Sequence, residues 1–109
     1  MKNYLICYYI LQQVMFETLE EDLSVLLTKI SPELWENGKP ADKALFDTWS
    51  SIIDADKMTP AQMQTELSAK LSEMDMSLEK TISVISSDSF EYYLSQAYER
   101  AEEYLGEYK

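Results

Sequence analysis

The sequence is most informative in what it leaves out. Its 109 residues include no histidine, which removes the usual general base and the commonest zinc ligand. A single cysteine, Cys7, rules out an internal disulfide, and nothing points to an oxidising compartment. The two glycines form neither GxGxxG nor GxxxxGK, so no loop of either type cradles a phosphate. Two glycines and three prolines are too few breakers for a turn-rich β fold, and they favour long helices. Cations are scarce as well: 9 Lys and Arg stand against 20 Asp and Glu, a net charge of −11. An anion this strong repels nucleic-acid phosphates and anionic lipid headgroups, and is steered toward cationic partners.

What is present is the make-up of a globular chain. Hydrophobic residues are 46% and charged residues 27%, a balance that predicts one folded domain over residues 1–109. The opening MKNYLICYYIL imitates a signal peptide, with one positive charge before an apolar run. Tyrosines and Cys7 break its aliphatic character, Gln12 and Gln13 end it, and no A-x-A site follows. The run is also too short to span a bilayer. The expectation is therefore a cytoplasmic protein, without membrane attachment, whose first helix is buried or shared with another chain.

Residues 4–16 are apolar on nearly every side, the pattern of a helix central to a core or shared with another chain; strand competes, since Tyr and Ile favour it, but the breaker-free, helix-forming run from Gln12 to Glu21 favours helix. Thr18-Leu-Glu-Glu21 reads as a capping box, so either a second helix starts there or the first runs on, with Leu19, Leu23, Leu26, Leu27 and Ile30 following at helical spacing. Ser31-Pro32 signals another short start, and Asn37-Gly38 with Pro40 a stop. Asp42 caps the next helix, which carries Leu45, Trp49, Ile52 and Ile53. Residues 54–58 form a loop, and Thr59-Pro60-Ala-Gln62 reopens a helix with a capping box. Its stripe of Met63, Leu67, Leu71 and Met74 continues in period through Leu78, Ile82 and Ile85, although TISVIS is β-branched enough to extend. Glu66 and Lys70 make a favourable i,i+4 pair. Asp88 with Glu91 forms a last capping box, before a helix lined by Phe90, Leu94, Ala97, Ala101 and Leu105 and stopped by Gly106. The predicted fold is all-α, a bundle of about five helices.

Candidate chemistry is thin. Cys7 lies in LICYYI, where apolar burial makes a thiol inert and no base activates it. Asp54-Ala-Asp56 begins like a calcium loop, but Met58, Thr59 and Thr65 fall where an oxygen ligand, the turning Gly and the bidentate Glu belong. Glu99, Glu102 and Glu103 share helical spacing without a Glu-x-x-His partner, and are read as a solvated face. The methionines Met58, Met63, Met74 and Met76 fall with Leu67 and Leu71 and are read as core filling. In Tyr8-Tyr9 and Tyr92-Tyr93, adjacent side chains point about 100° apart, so at most one of each pair sits deep. No nucleophile–base pair, metal set or cofactor loop emerges, and the chain is read as a non-enzyme with no cofactor and no metal.

The remaining feature is ELWENGKPADKALFDTW, which holds both tryptophans around a Gly/Pro corner. The expectation is that both rings pin a short turn to the following helix. The competing reading is an exposed ring in an acidic rim, a frequent kind of interface anchor. The run LSVLLTKISPELWENGKPADKALFDTW, residues 23–49, resembles a segment of small helical proteins of bacterial toxin–immunity systems. The resemblance rests on Leu26, Leu27, Gly38, Lys39, Ala41, Asp42 and Trp49, with Lys43 standing where that pattern expects Pro. It implies a small acidic protein-binding domain of immunity or antitoxin type, which blocks a basic, toxin-like protein without turnover. The candidate contact residues are Glu20, Glu21, Asp22, Glu33, Trp35, Glu36 and Asp42. The alternative is a non-catalytic scaffolding protein that forms a homodimer through the apolar residues 4–16.

Overall fold

The computed structural model describes residues 1–32, 35 and 42–107. Among these the chain is all-helical, with no strand. The first helix, α1 (Lys2–Thr18), contains no breaker and buries Tyr4, Leu5, Ile6, Cys7 and Tyr8 in succession, then Ile10, Leu11 and Val14. Five consecutive positions at 100° per residue sweep more than a full turn, so this helix must be covered from every direction. Its cover comes from α2 (Glu21–Ile30), α3 (Lys43–Ser50), α5 (Glu79–Ile85) and α6 (Phe90–Glu107), while α4 (Pro60–Glu73) packs on α5 and α6. The broadest contact is with α6. One buried cluster draws on all six helices. Among the described residues the bundle has six helices, in keeping with the expected bundle of about five, and residues 4–14 of α1 lie in the chain's own core.

The pairing of α1 with α6 is antiparallel. Lys2, at the start of α1, donates to the Tyr98 hydroxyl at 2.6 Å, stands over that ring, and lies 3.9 Å from the Glu102 carboxylate. At the other end, the Gln13 amide donates to the Tyr93 carbonyl at 2.8 Å. Ala97 and Ala101, both fully buried, keep the α6 surface low between these ends and let the two backbones approach.

Several sequence signals appear as expected. Asp42 accepts from the Leu45 N–H at 3.0 Å. Thr59 and Gln62 exchange both bonds of their capping box. Met63, Leu67 and Leu71 line the buried face of α4, and Met58, Met74 and Met76 pack against the same core. The 54–58 loop is closed by bonds from Lys57 and Met58 N–H to the Asp54 carbonyl, and tied to α1 where Asn3 accepts from the Ala55 N–H at 3.1 Å. Tyr8 is buried and Tyr9 half-buried; Tyr92 is exposed and Tyr93 half-buried.

Other signals resolve differently. Thr18 closes α1 rather than opening α2: its Oγ1 accepts only from the Glu20 N–H, and Leu19 turns the chain in the left-handed region at φ 53°. Ile52 and Ile53 lie beyond the end of α3, although Ile53 is still buried. The long period from Met63 to Ile85 breaks over residues 74–78, and TISVIS is helical through Ile85. The break is set by carboxylates from elsewhere in the fold, described below. Among the described residues the close i,i+4 ion pair is Lys43–Asp47, at 3.5 Å, and Glu66–Lys70 does not close. The turn before α6 is organised by Ser87 instead of an Asp88–Glu91 box: its Oγ accepts from the Ser89 N–H and its carbonyl from the Phe90 N–H. Gly106 lies within α6 and does not stop it.

Two outcomes follow from the burial of α1. Ile10→Ala removes a fully buried side chain at the centre of the bundle and is expected to cost about 2–5 kcal/mol, read by urea denaturation. Burial pushes the Cys7 thiol up to about 12, so it should stay unlabelled by a thiol reagent in the native protein at pH 8 and react fully once denatured.

Candidate partner-binding surface

The acidic start of α2 carries three of the expected contact residues, Glu20, Glu21 and Asp22. Two of them have structural work. Helix α5 begins after Leu78, whose side chain supplies no cap. Its free N–H groups are met instead by Glu20, sixty residues away in the chain. Glu20 Oε2 accepts from the Lys80 N–H at 3.1 Å; Oε1 accepts from the Thr81 N–H at 3.0 Å and from the Thr81 hydroxyl at 2.8 Å. Asp22 accepts from the Ser77 N–H in the preceding bend. A carboxylate at a helix N-terminus satisfies orphan donors and meets the positive end of the dipole. These three bonds to the 77–81 backbone hold the break in the long apolar period and start α5 there. The far end of α5 is closed in the same way, by the Gln64 amide of α4 donating to the Ile85 and Ser87 carbonyls at 2.8 and 3.1 Å.

Partial burial alone would raise the Glu20 pKa, but the hydrogen bonds from Thr81 and Lys80, with the Lys80 charge, outweigh it, and the net shift is downward. Glu21 remains exposed on the first turn of α2.

The aromatic part of the expected site is also built into the fold. Trp35 is half-buried, with its ring centroid 5.2 Å from Tyr4 and 5.9 Å from Phe46; Tyr4 and Phe46 are 5.0 Å apart. The Tyr4 hydroxyl donates to the Ile30 carbonyl at the end of α2, and the Tyr8 hydroxyl donates to Ser31 Oγ at 3.3 Å. Trp49 is buried in the core from α3. The Trp35 ring therefore packs against Tyr4 of α1 and Phe46 of α3, while the turn it was expected to pin lies outside the described residues. Asp42 is exposed, but its carboxylate caps α3. Glu33 and Glu36 lie outside the described residues.

Glu20, Asp22 and Asp42 are thus bonded to backbone N–H groups and Trp35 is packed against other rings, so none of the four is a free side chain. The exposed large apolar side chains lie elsewhere. Phe16 is 75% exposed and Leu19 is 72% exposed, one turn apart at the end of α1. Their sequence neighbours Glu17 and Thr18 line an open cleft of about 540 Å³ between the end of α1 and α5, together with Glu79, Lys80, Ser83 and Val84. A smaller cleft of about 300 Å³ sits between the start of α4 and the α5–α6 turn; its lining includes Gln64, Ser87, Asp88 and Glu91. The sequence carried no signal for Phe16: it continues the apolar run of residues 4–16, and only the structure shows that burial of α1 ends at Val14. Among the described residues no group of three or more His, Cys, Asp or Glu is placed to hold a metal ion, and no helix is long and apolar enough to cross a membrane. The chain matches no known protein family, no curated protein and no solved structure.

The Glu20 cap has a definite pH signature. Its folded pKa lies below the ordinary 4.5, so its stabilisation is present above that value and lost as pH falls through the folded pKa. Glu20→Ala should cost about 1–2 kcal/mol at neutral pH, as other lost caps do. The gap between wild type and variant should close on acidification below 4.5, followed by thermal unfolding monitored by circular dichroism.

Proposed function

We propose that this chain is a cytoplasmic, acidic protein-binding domain that occludes a cationic protein by steric and electrostatic blockade, without turnover. Inhibitors of the immunity or antitoxin type, acting on a basic toxin, are the class it fits. The observation that supports the reading is charge: a net −11 on 109 residues. Such a field accelerates encounter with a basic surface and makes the association sensitive to salt. The resemblance of residues 23–49 to toxin–immunity proteins points the same way. The half-buried Trp35 and the capping carboxylates Glu20, Asp22 and Asp42 serve the scaffold in this reading, leaving recognition to acids such as Glu21.

A second reading is a non-catalytic scaffold that pairs with its own copy. Its specific support is the exposure of Phe16 and Leu19, since residues 4–14 are occupied inside the monomer.

The two readings separate in one experiment. The tagged chain is used to capture partners from native lysate, washed at low and then high salt, with light scattering for mass. The expected outcome is one stoichiometric basic protein that leaves at high salt. Absence of any partner, with a mass of two chains, would replace the inhibitor with the self-associating scaffold.

A further inference from the structure

We propose that the corner joining α1 to α2 is the contact surface of this domain: Phe16 and Leu19 seat in an apolar recess of a cationic protein, and its lysine and arginine rim pairs with Glu17, Glu21 and Glu79. This rests on the reading of the chain as a binder of basic proteins.

The first support is conformational. Leu19 is the sole described non-glycine residue with positive φ, at 53°. A left-handed residue closing a helix is usually Gly, which takes that conformation without a Cβ penalty. Leu accepts the penalty here, although its side chain is 72% exposed and contributes little to the core. Strain of this kind is held in place by the surrounding structure and clusters at functional sites. The second support is Phe16, 75% exposed on a helix whose other large apolar residues are otherwise mostly covered. Two large apolar groups one turn apart make an anchor of the sort found at interface centres, with polar groups around it.

The chemistry of the occupant follows from the rim. Glu17, Glu21 and Glu79 are exposed around the corner, with Lys80 as a cation on the same cleft. Anionic lipid would be repelled by those carboxylates. A second copy meeting this patch about a two-fold axis would set the same acids against themselves. A basic protein surface with an apolar recess matches both the charge and the two anchors.

The test uses the full chain and a synthetic peptide of Leu residues flanked by Lys, titrated at low salt while backbone amide resonances are followed by NMR. Shifts should concentrate on residues 16–21 and 79–84. Phe16→Ser should weaken binding by about tenfold or more without lowering Tm. Leu19→Gly should weaken it similarly while raising Tm by a few degrees, a pairing that mere structural damage does not produce. A peptide with Ser in place of Leu should bind weakly, and salt should weaken the parent peptide. Shifts scattered over the acidic surface, equal binding of the Ser peptide, or wild-type affinity in Leu19→Gly would overturn the assignment. A dimer in light scattering that Phe16→Ser dissociates would overturn it in favour of a second copy. A basic protein captured equally by wild type and both variants would sink this surface and leave the inhibitor reading standing. Localised peptide binding with no captured partner would support the surface and count against the inhibitor.

Discussion

The burial of α1 on all sides is the constraint from which the rest of the structure follows. A helix with Tyr4 to Tyr8 all inside cannot lie on a surface; it needs neighbours in every direction. Helices α2, α3, α5 and α6 supply them. The polar atoms that this burial takes inside are then matched locally. The Tyr4 hydroxyl finds the free carbonyl at the end of α2, and the Tyr8 hydroxyl finds Ser31. The ring of Tyr4 gives Trp35 and Phe46 a surface to stack on. The hydrophobic helix, Ser31 and Trp35 are thus one packing arrangement, since buried hydroxyls must be bonded and aromatic rings dominate small cores.

Helix termini in this fold are often closed by side chains from other helices. Glu20 and Asp22 serve the backbone of residues 77–81, Gln64 the end of α5, and Asn3 the 54–58 loop. Each such bond satisfies a backbone group that its own segment leaves open, and each ties two distant segments to one register. The consequence for function is subtractive. Acids that look like a docking surface in the linear sequence are held by backbone N–H groups, and a carboxylate that loses those bonds on binding a partner would leave α5 uncapped. The exposed apolar side chains Phe16 and Leu19 lie at the corner next to them.

Local signals were legible where both halves of an interaction lie within a few residues. The Thr59–Gln62 capping box, the Asp42 cap, the Met63–Leu67–Leu71 stripe and the inert position of Cys7 are of this kind. The same local logic failed at Thr18, whose capping-box pattern is real as a string but sits inside the last turn of α1. It failed again at Met74–Leu78, where the apolar period runs on while the helix does not. Period reports which residues face the core; it does not report where hydrogen bonding is interrupted.

The residues alone therefore determine a helical, acidic chain with one unusually apolar helix, because composition, breakers and 3.6-residue periodicity are properties of the string. They place Cys7 in an apolar run and Trp49 in period with Leu45, positions that favour burial. Which carboxylates remain free could not be read there: the partners of Glu20 lie at Lys80 and Thr81. Nor could the exposure of Phe16 and Leu19, which depends on where the covering helices end. Both are relations between segments brought together only by packing around α1, and a pattern within one segment carries no record of them.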